Sequence, residues 1–226
     1  MNVAIIAAAG QGTRMGGKRA KQFLELAGMP IIIHTLQAFE ACEAIQEIIL
    51  VLPEADVRGF SAVARPYKLG KVRAVVPGGV SRASSVLNGL QAVRANDNDI
   101  VVVHDGSRPL VTSAEIMRTV QAAEVSGAAI LVAPMVDTVK EVCDGAVTRT
   151  VPRDQLRRAL TPQCFRYEIL RQAYEQIDEL DASLTDESSL VERLGVAITV
   201  IEGSSRNIKV TRPEDLIVAE AFLMRG

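Results

Sequence analysis

Tryptophan is absent from this 226-residue chain, and Phe, Trp and Tyr together supply only 4% of it. A core must therefore be built from aliphatic side chains, within a hydrophobic fraction of 48%. Aliphatic strands covered by Ala-rich helices would use residues in this way. Charge of one sign is also lacking. The formal net charge is -2 and no long run of like charge occurs, which argues against a nucleic-acid groove or a membrane surface. Cysteine is scarce. Cys42, Cys143 and Cys164 are odd in number, widely spaced and free of any C-x-x-C. Disulfides and structural zinc are disfavoured, and a reducing, cytoplasmic location is expected. No stretch reaches the ~18 consecutive apolar residues of a membrane span. The N-terminal MNVAIIAAAG lacks a basic flank and runs into a Gly-rich loop, so it reads as a first strand rather than a signal peptide.

What is present is an alternation of strand and helix patterns. Strands are expected at 3–8, 47–52, 72–76, 100–103, 128–133 and 196–202. Helical spacing covers 30–42, 55–64, 81–94, 113–126 with Ser113 as N-cap, 167–177, and 186–194 opened by Thr185. Thr211-Arg212-Pro213-Glu214 reads as a capping box for a last helix to about Met224. This order implies an α/β fold, a doubly wound and mostly parallel sheet, in one domain over 1–226. The alternation breaks between Pro134 and Pro162. Two β-rich runs there, 139–143 and 146–150, flank Asp144-Gly145, a strong hairpin signal. The hairpin has few large apolar residues of its own. A protruding arm at about 135–160, packed on another subunit, is expected.

Three segments could carry chemistry. The first strand enters Ala7-Ala8-Ala9-Gly10-Gln11-Gly12-Thr13-Arg14, followed closely by Lys18, Arg19 and Lys21. Small residues let the backbone approach a ligand, successive amides can hold phosphate oxygens, and four cations suit a triphosphate. A tight turn with solvated cations is the alternative. Two known motifs fail here. Gly12 to Lys18 reads G-x-x-x-x-G-K but is followed by Arg19 rather than Ser or Thr. Gly10-x-Gly12 begins a dinucleotide fingerprint, but Met15 holds the third glycine position. The second segment ends the run Ile100–Val103 with His104 and Asp105. A carboxylate at the C-terminal end of a buried parallel strand lies where ligands bind in open α/β sheets. Asp105 could hold Mg²⁺ or cap the next turn. His104 alternates in direction with it and reads as a packed residue, as does His34 inside a helix. The third segment is 205–211. Spacing alone makes Lys209 a solvated lysine unless the chain end borders the cleft.

Taken in order, A-A-A-G-Q-G-T-R-M with Lys21-Gln22, P-G-G-V-S-R-A-S-S-V (77–86), H-D-G-S-R-P, V-D-T-V-K (136–140), L-T-P-Q (160–163), T-D-E (185–187) and N-I-K-V-T-R-P-E-D (207–215) cover essentially the whole chain. This succession resembles the 2-C-methyl-D-erythritol 4-phosphate cytidylyltransferase family of the non-mevalonate isoprenoid pathway. The resemblance implies a Rossmann-like nucleotidyltransferase fold. It implies transfer of a cytidylyl group from CTP to 2-C-methyl-D-erythritol 4-phosphate, with Mg²⁺ and release of pyrophosphate.

Position by position, the resemblance implies that Ala8, Ala9, Gly10 and Gly12 line the nucleotide, and that Gly79 and Ser85 meet the cytidine. Arg14 and Lys21 would neutralise the triphosphate and the transition state, and Asp105 would bind the metal. Arg108, Thr161 and Thr185 would lie near the polyol. Thr138, Arg153 and Lys209 would place its phosphate, with Thr138 and Arg153 supplied by a partner's arm in a homodimer. Two departures stand out. Ala20 replaces a Pro usual before Lys21-Gln22, and Val80 stands where many relatives carry an acidic residue near the base. A ribitol 5-phosphate cytidylyltransferase and a non-catalytic dinucleotide-binding regulator are the rival readings.

Overall fold

The computed structural model describes residues 1–10, 20–177 and 186–224. In chain order the strands are β1 (Asn2–Ala7), β2 (Glu25–Leu26), β3 (Met29–Pro30), β4 (Glu47–Leu52), β5 (Val72–Pro77), β6 (Ile100–Asp105), β7 (Ala128–Pro134), β8 (Val139–Cys143), β9 (Ala146–Val151), β10 (Arg157–Arg166) and β11 (Thr199–Glu202). The helices are α1 (Ile31–Glu40), α2 (Glu54–Val57), α3 (Phe60–Ala64), α4 (Arg82–Ala92), α5 (Ser113–Ser126), α6 (Tyr167–Glu175), α7 (Ser188–Arg193) and α8 (Pro213–Leu223).

Seven strands form one sheet in the order β11-β7-β10-β6-β1-β4-β5. The pairs of β1 with β4 and β6, β4 with β5, and β11 with β7 are parallel, while β10 runs antiparallel between β6 and β7. Alternation within the strands feeds two cores. Ala4, Ile6, Ile48, Leu50 and Val102 face one side with Ile32, Leu36, Ile116 and Val120 from α1 and α5. Val3, Ile5, Ile49, Val51, Val101 and Val103 face the other with Val86, Leu90 and Leu170 from α4 and α6. Aliphatic side chains buried on both faces explain why these strands read as continuous apolar runs. Gly89 lets α4 approach closely, since a Cβ there would lie 2.6 Å from Ile5 Cγ2.

The doubly wound, mostly parallel sheet agrees with the sequence reading. The differences are local. β10 went unread because Pro162 interrupts its pattern; its pairing with β7 shifts register between Ala159 and Gln163. The helix expected at 55–64 is split into α2 and α3 around Arg58 and Gly59. The N-cap of α5 is Thr112 rather than Ser113. Its hydroxyl accepts from Glu115 N–H at 3.2 Å, and Glu115 Oε2 accepts from Thr112 N–H at 3.0 Å. At α8 it is Asp215, not Glu214, that accepts from Thr211 and Arg212 N–H, at 2.7 and 2.9 Å. β8 and β9 form a separate exposed hairpin, turning at Asp144 and Gly145 with φ of 49° and 79°. Left-handed backbone at both turn residues is what Asp-Gly allows. The expected opening of α7 by Thr185 lies outside the described residues.

Candidate active site

The direction of the sheet reverses at β1. From it the chain builds outward through β4 and β5 on one side and starts again with β6 on the other. Ala7 and Asp105 are register partners at the C-terminal ends of β1 and β6. This is the topological switch point, where the loops leave in opposite directions and a crevice must open. A cleft of about 600 Å³ lies there, a size ordinary for a small-ligand site.

Asp105 is 5% exposed and organises the floor of the cleft. Its Oδ1 lies 3.2 Å from Arg82 Nε, and its Oδ2 lies 3.2 Å from Arg108 Nε and 2.9 Å from Lys209 Nζ. Burial by itself would push this carboxyl up. The charges of Arg82, Lys209 and Arg108 outweigh it and hold the group well below the usual carboxylate range. Arg82 also joins Asp105 to Glu187, with Nη1 at 2.7 and 2.8 Å from the two Glu187 oxygens. Glu187 is 1% exposed and accepts from Tyr174 Oη at 3.2 Å.

Behind Asp105 a second chain of hydrogen bonds fixes the strand end. Burial lowers the His104 pKa to about 3, so the imidazole is neutral. Its Nε2 faces Arg108 O at 3.3 Å and its Nδ1 faces Thr161 Oγ1 at 2.9 Å. A neutral ring satisfies both contacts if Nε2 donates to the carbonyl and the Thr161 hydroxyl donates to Nδ1. Thr161 Oγ1 then accepts from Asp105 N–H at 3.2 Å. His104 is thus a structural residue, as its alternation with Asp105 implied. His34 likewise bonds Leu26 O at 2.7 Å.

The loop between β5 and α4 is locked by its own sequence. Ser81 caps α4, accepting from Ser84 N–H at 3.0 Å. Ser85 Oγ accepts from Gly79 N–H at 3.1 Å and donates to Ser81 O at 2.8 Å. A side chain on Gly78 would put its Cβ 2.2 Å from Ala9 Cβ, so only glycine lets this loop meet the end of β1. Val80 sits on the cleft rim with its side chain fully exposed.

Of the expected residues, Ala8, Ala9, Gly10, Gly79 and Ser85 line the cleft, and so do Lys21, Asp105 and Lys209. Arg108 and Thr161 stand behind Asp105 and position it. Thr138 and Arg153 lie exposed beside the hairpin, where Arg153 Nη1 donates to Val136 O. Gly12, Arg14 and Thr185 lie outside the described residues. Sequence reasoning gave no role to Arg82 or Glu187. Both lay inside quoted motifs, but only folding shows that they meet. Among the described residues, no group of three or more His, Cys, Asp or Glu gathers to bind a metal.

Among the described residues the cleft is therefore lined by three cations (Lys21, Arg82, Lys209) against one carboxylate (Asp105), an excess suited to polyanions. The model of the 2-C-methyl-D-erythritol 4-phosphate cytidylyltransferase family matches residues 2–225. The chain belongs to this family. A relative of that name from Syntrophus aciditrophicus is 46% identical over 225 residues, covering 99% of this chain and 96% of the relative. One from Bacillus cytotoxicus is 44% identical, covering 99% and 98%. The solved 4-diphosphocytidyl-2C-methyl-D-erythritol synthase of Anaerococcus prevotii superposes with a TM-score of 0.85 at 32% identity, covering 99% of this chain and 96% of that one. As a member of the cytidylyltransferase family, the chain is a nucleotidyltransferase, and the switch-point cleft is its candidate active site.

Proposed function

We propose that this chain joins CTP and 2-C-methyl-D-erythritol 4-phosphate, giving 4-diphosphocytidyl-2-C-methyl-D-erythritol and pyrophosphate. The observation that carries the reading is Asp105, ionised at the switch point and ringed by Arg82, Arg108 and Lys209. In the reaction an oxygen of the polyol phosphate attacks the α-phosphorus of CTP. The bond from that phosphorus to the α,β-bridging oxygen breaks, and pyrophosphate leaves. The nucleophile is already anionic, since the second pKa of a phosphate monoester is about 6. No general base is required, which agrees with a neutral, fully hydrogen-bonded His104. The protein's work is alignment and charge stabilisation. Lys21 and Lys209 both line the cleft as point charges, and Arg14, as the family resemblance implies, would add a planar donor fork.

The donor set fits Mg²⁺ in one way. One ionised carboxylate lines the cleft, and this metal commonly takes one or two carboxylates with phosphate oxygens completing its shell. Asp105 would hold it, with Lys209 releasing Oδ2 to turn toward the substrate phosphate. The ion would neutralise charge on the triphosphate and on the departing pyrophosphate. The protein would act in the cytoplasm as a single-domain homodimer. Val136, Val142 and Val147 are exposed on and beside the hairpin, which supports arm exchange placing Thr138 and Arg153 in the partner's site. Among the described residues, no helix is long and apolar enough to cross a membrane.

The test is pyrophosphate release with CTP and Mg²⁺ over a panel of polyol phosphates. Turnover with 2-C-methyl-D-erythritol 4-phosphate well above ribitol 5-phosphate is expected. The reverse order would reassign the substrate, and no release with any polyol phosphate would remove the transferase reading.

A further inference from the structure

Gln22 occupies the 3₁₀ turn Lys21–Phe23 at the edge of the nucleotide cleft. Its neighbours have evident partners. Lys21 Nζ donates to Val210 O at 3.2 Å, and Phe23 packs into the core beneath the sheet. Gln22 is 1% exposed, yet among the described residues neither its Nε2 nor its Oε1 has a hydrogen-bond partner. Among the described residues only Asn207 has a similar defect, and it still uses Nδ2 to hold Thr161 O at 2.9 Å. Gln22 has no such compensation. A buried carboxamide with both ends unpaired destabilises the folded chain, whereas an apolar side chain of the same shape would not. Among the described residues the amide therefore contributes no hydrogen bond to the fold.

We propose that Gln22 is a further nucleotide-binding residue, completed by the ligand: Nε2 donates to a phosphate oxygen of the bound nucleotide, and Oε1 accepts from a hydroxyl or water that arrives with it. The inference rests on the CTP reading above. The phosphate is favoured over the base because Gln22 adjoins Lys21, the cation of this wall. The loop at Gly79 and Ser85 stands separately, after β5. An amide suits this position chemically. It offers a donor to an anion without adding negative charge, which a carboxylate would do, and it keeps an acceptor for a second group. The unpaired state without ligand becomes a source of selectivity, since only a ligand with acceptors at this point removes the penalty.

Two variants and two readouts test this. Gln22→Met keeps the length and removes the polar atoms. It should raise the Tm of the ligand-free protein by about 2–4 °C and weaken CTP binding about tenfold by calorimetry, ~1.4 kcal/mol. Gln22→Glu places a carboxylate against the phosphates and should weaken CTP more than Gln22→Met does. Opposite signs in stability and affinity cannot arise from a merely structural residue. A lower Tm with unchanged CTP affinity in Gln22→Met would overturn the proposal, and so would Gln22→Glu binding CTP as wild type does. Wild type failing to bind CTP would instead remove the CTP reading on which the proposal rests.

Discussion

Lys209 Nζ lies 2.9 Å from Asp105 Oδ2, an ion pair formed between residues more than a hundred positions apart. The aim of Lys209 follows from its neighbours. Val210 is fully buried and its N–H bonds Ser107 O at 2.8 Å, while Ile208 packs with Leu26 and Ile31. The chain is thus pinned on both sides, and the lysine turns to the cleft. Lys209→Ala should lower kcat by roughly 10²–10³-fold, the usual cost of losing one pre-organised charge partner. Its Tm should barely move, because the side chain is 36% exposed. Steady-state kinetics beside a melting curve would check both, and a folded variant with near-normal kcat would remove Lys209 from the reaction.

Arg82 gives the opposite balance of stability and activity. Among the described residues, Arg82→Met leaves the Glu187 carboxylate, at 1% exposure, with only the Tyr174 hydroxyl for company. Removing one partner of a buried pair destabilises by about 3–5 kcal/mol. The double variant Arg82→Met/Glu187→Met should recover most of that, since the Glu187 charge goes with its partner and Asp105 keeps Arg108 and Lys209. Activity should stay low in both, because Asp105 Oδ1 has lost its partner. Urea denaturation of the two variants decides the point; a double variant no more stable than the single one would mean that the pair does not hold this region.

Asp215 predicts a pH signature. Partial burial tends to raise its carboxyl, but the N–H groups of Thr211 and Arg212 lower it overall. A folded pKa below the unfolded value of ~3.9 contributes stability above that value and loses it as the pH falls through the folded pKa. Asp215→Ala should cost about 1 kcal/mol at pH 7, with the difference from wild type vanishing in strong acid. Glu214→Ala should show little of this. Equal effects at both positions would return the cap to Glu214.

Much of the site could be read from sequence because strand ends are legible. Aliphatic runs that stop at Ala7-Ala8-Ala9 and at His104-Asp105 mark two strand termini, and a doubly wound order makes them neighbours. Lys209 was ambiguous because alternation gives two faces and says nothing of which one borders the cleft. Arg82 and Glu187 were missed for a different reason. Each opens a helix, where a charged residue reads as solvated, and their contact spans 105 positions. β10 was hidden by Pro162, which breaks the period-2 pattern although flanking residues pair with β6 and β7.

Val80 tests how the base is read. Its side chain points away from any partner, fully exposed on the rim, so it offers no acceptor to a cytosine amino group. The backbone around Gly79, held by Ser85, remains, and a carbonyl there can accept from the 4-amino group of CTP but not pair with the 4-oxo group of UTP. With a base bound over it, the mismatch would strand that polar group at ~1–3 kcal/mol. CTP should therefore exceed UTP in kcat/KM by about tenfold or more. Equal values would mean a relaxed base pocket.

The hairpin makes the last prediction. β8 and β9 bury almost nothing, yet Val142 and Val147 are apolar and exposed, at 58% and 61%. Arg153 lies just beyond β9, while Lys21 lines the cleft. If the arm serves a partner, each site combines Lys21 of one subunit with Arg153 of the other. Lys21→Ala and Arg153→Ala chains should each be nearly inactive alone. In a mixed dimer, one site receives both altered residues and the other receives neither. By two-fold symmetry, random mixing of equal amounts should restore about a quarter of wild-type activity. Mixing under conditions that exchange subunits, with heterodimers quantified by mass spectrometry, measures the recovery directly. Heterodimers without activity would show that Arg153 acts within its own subunit or has no part in the reaction.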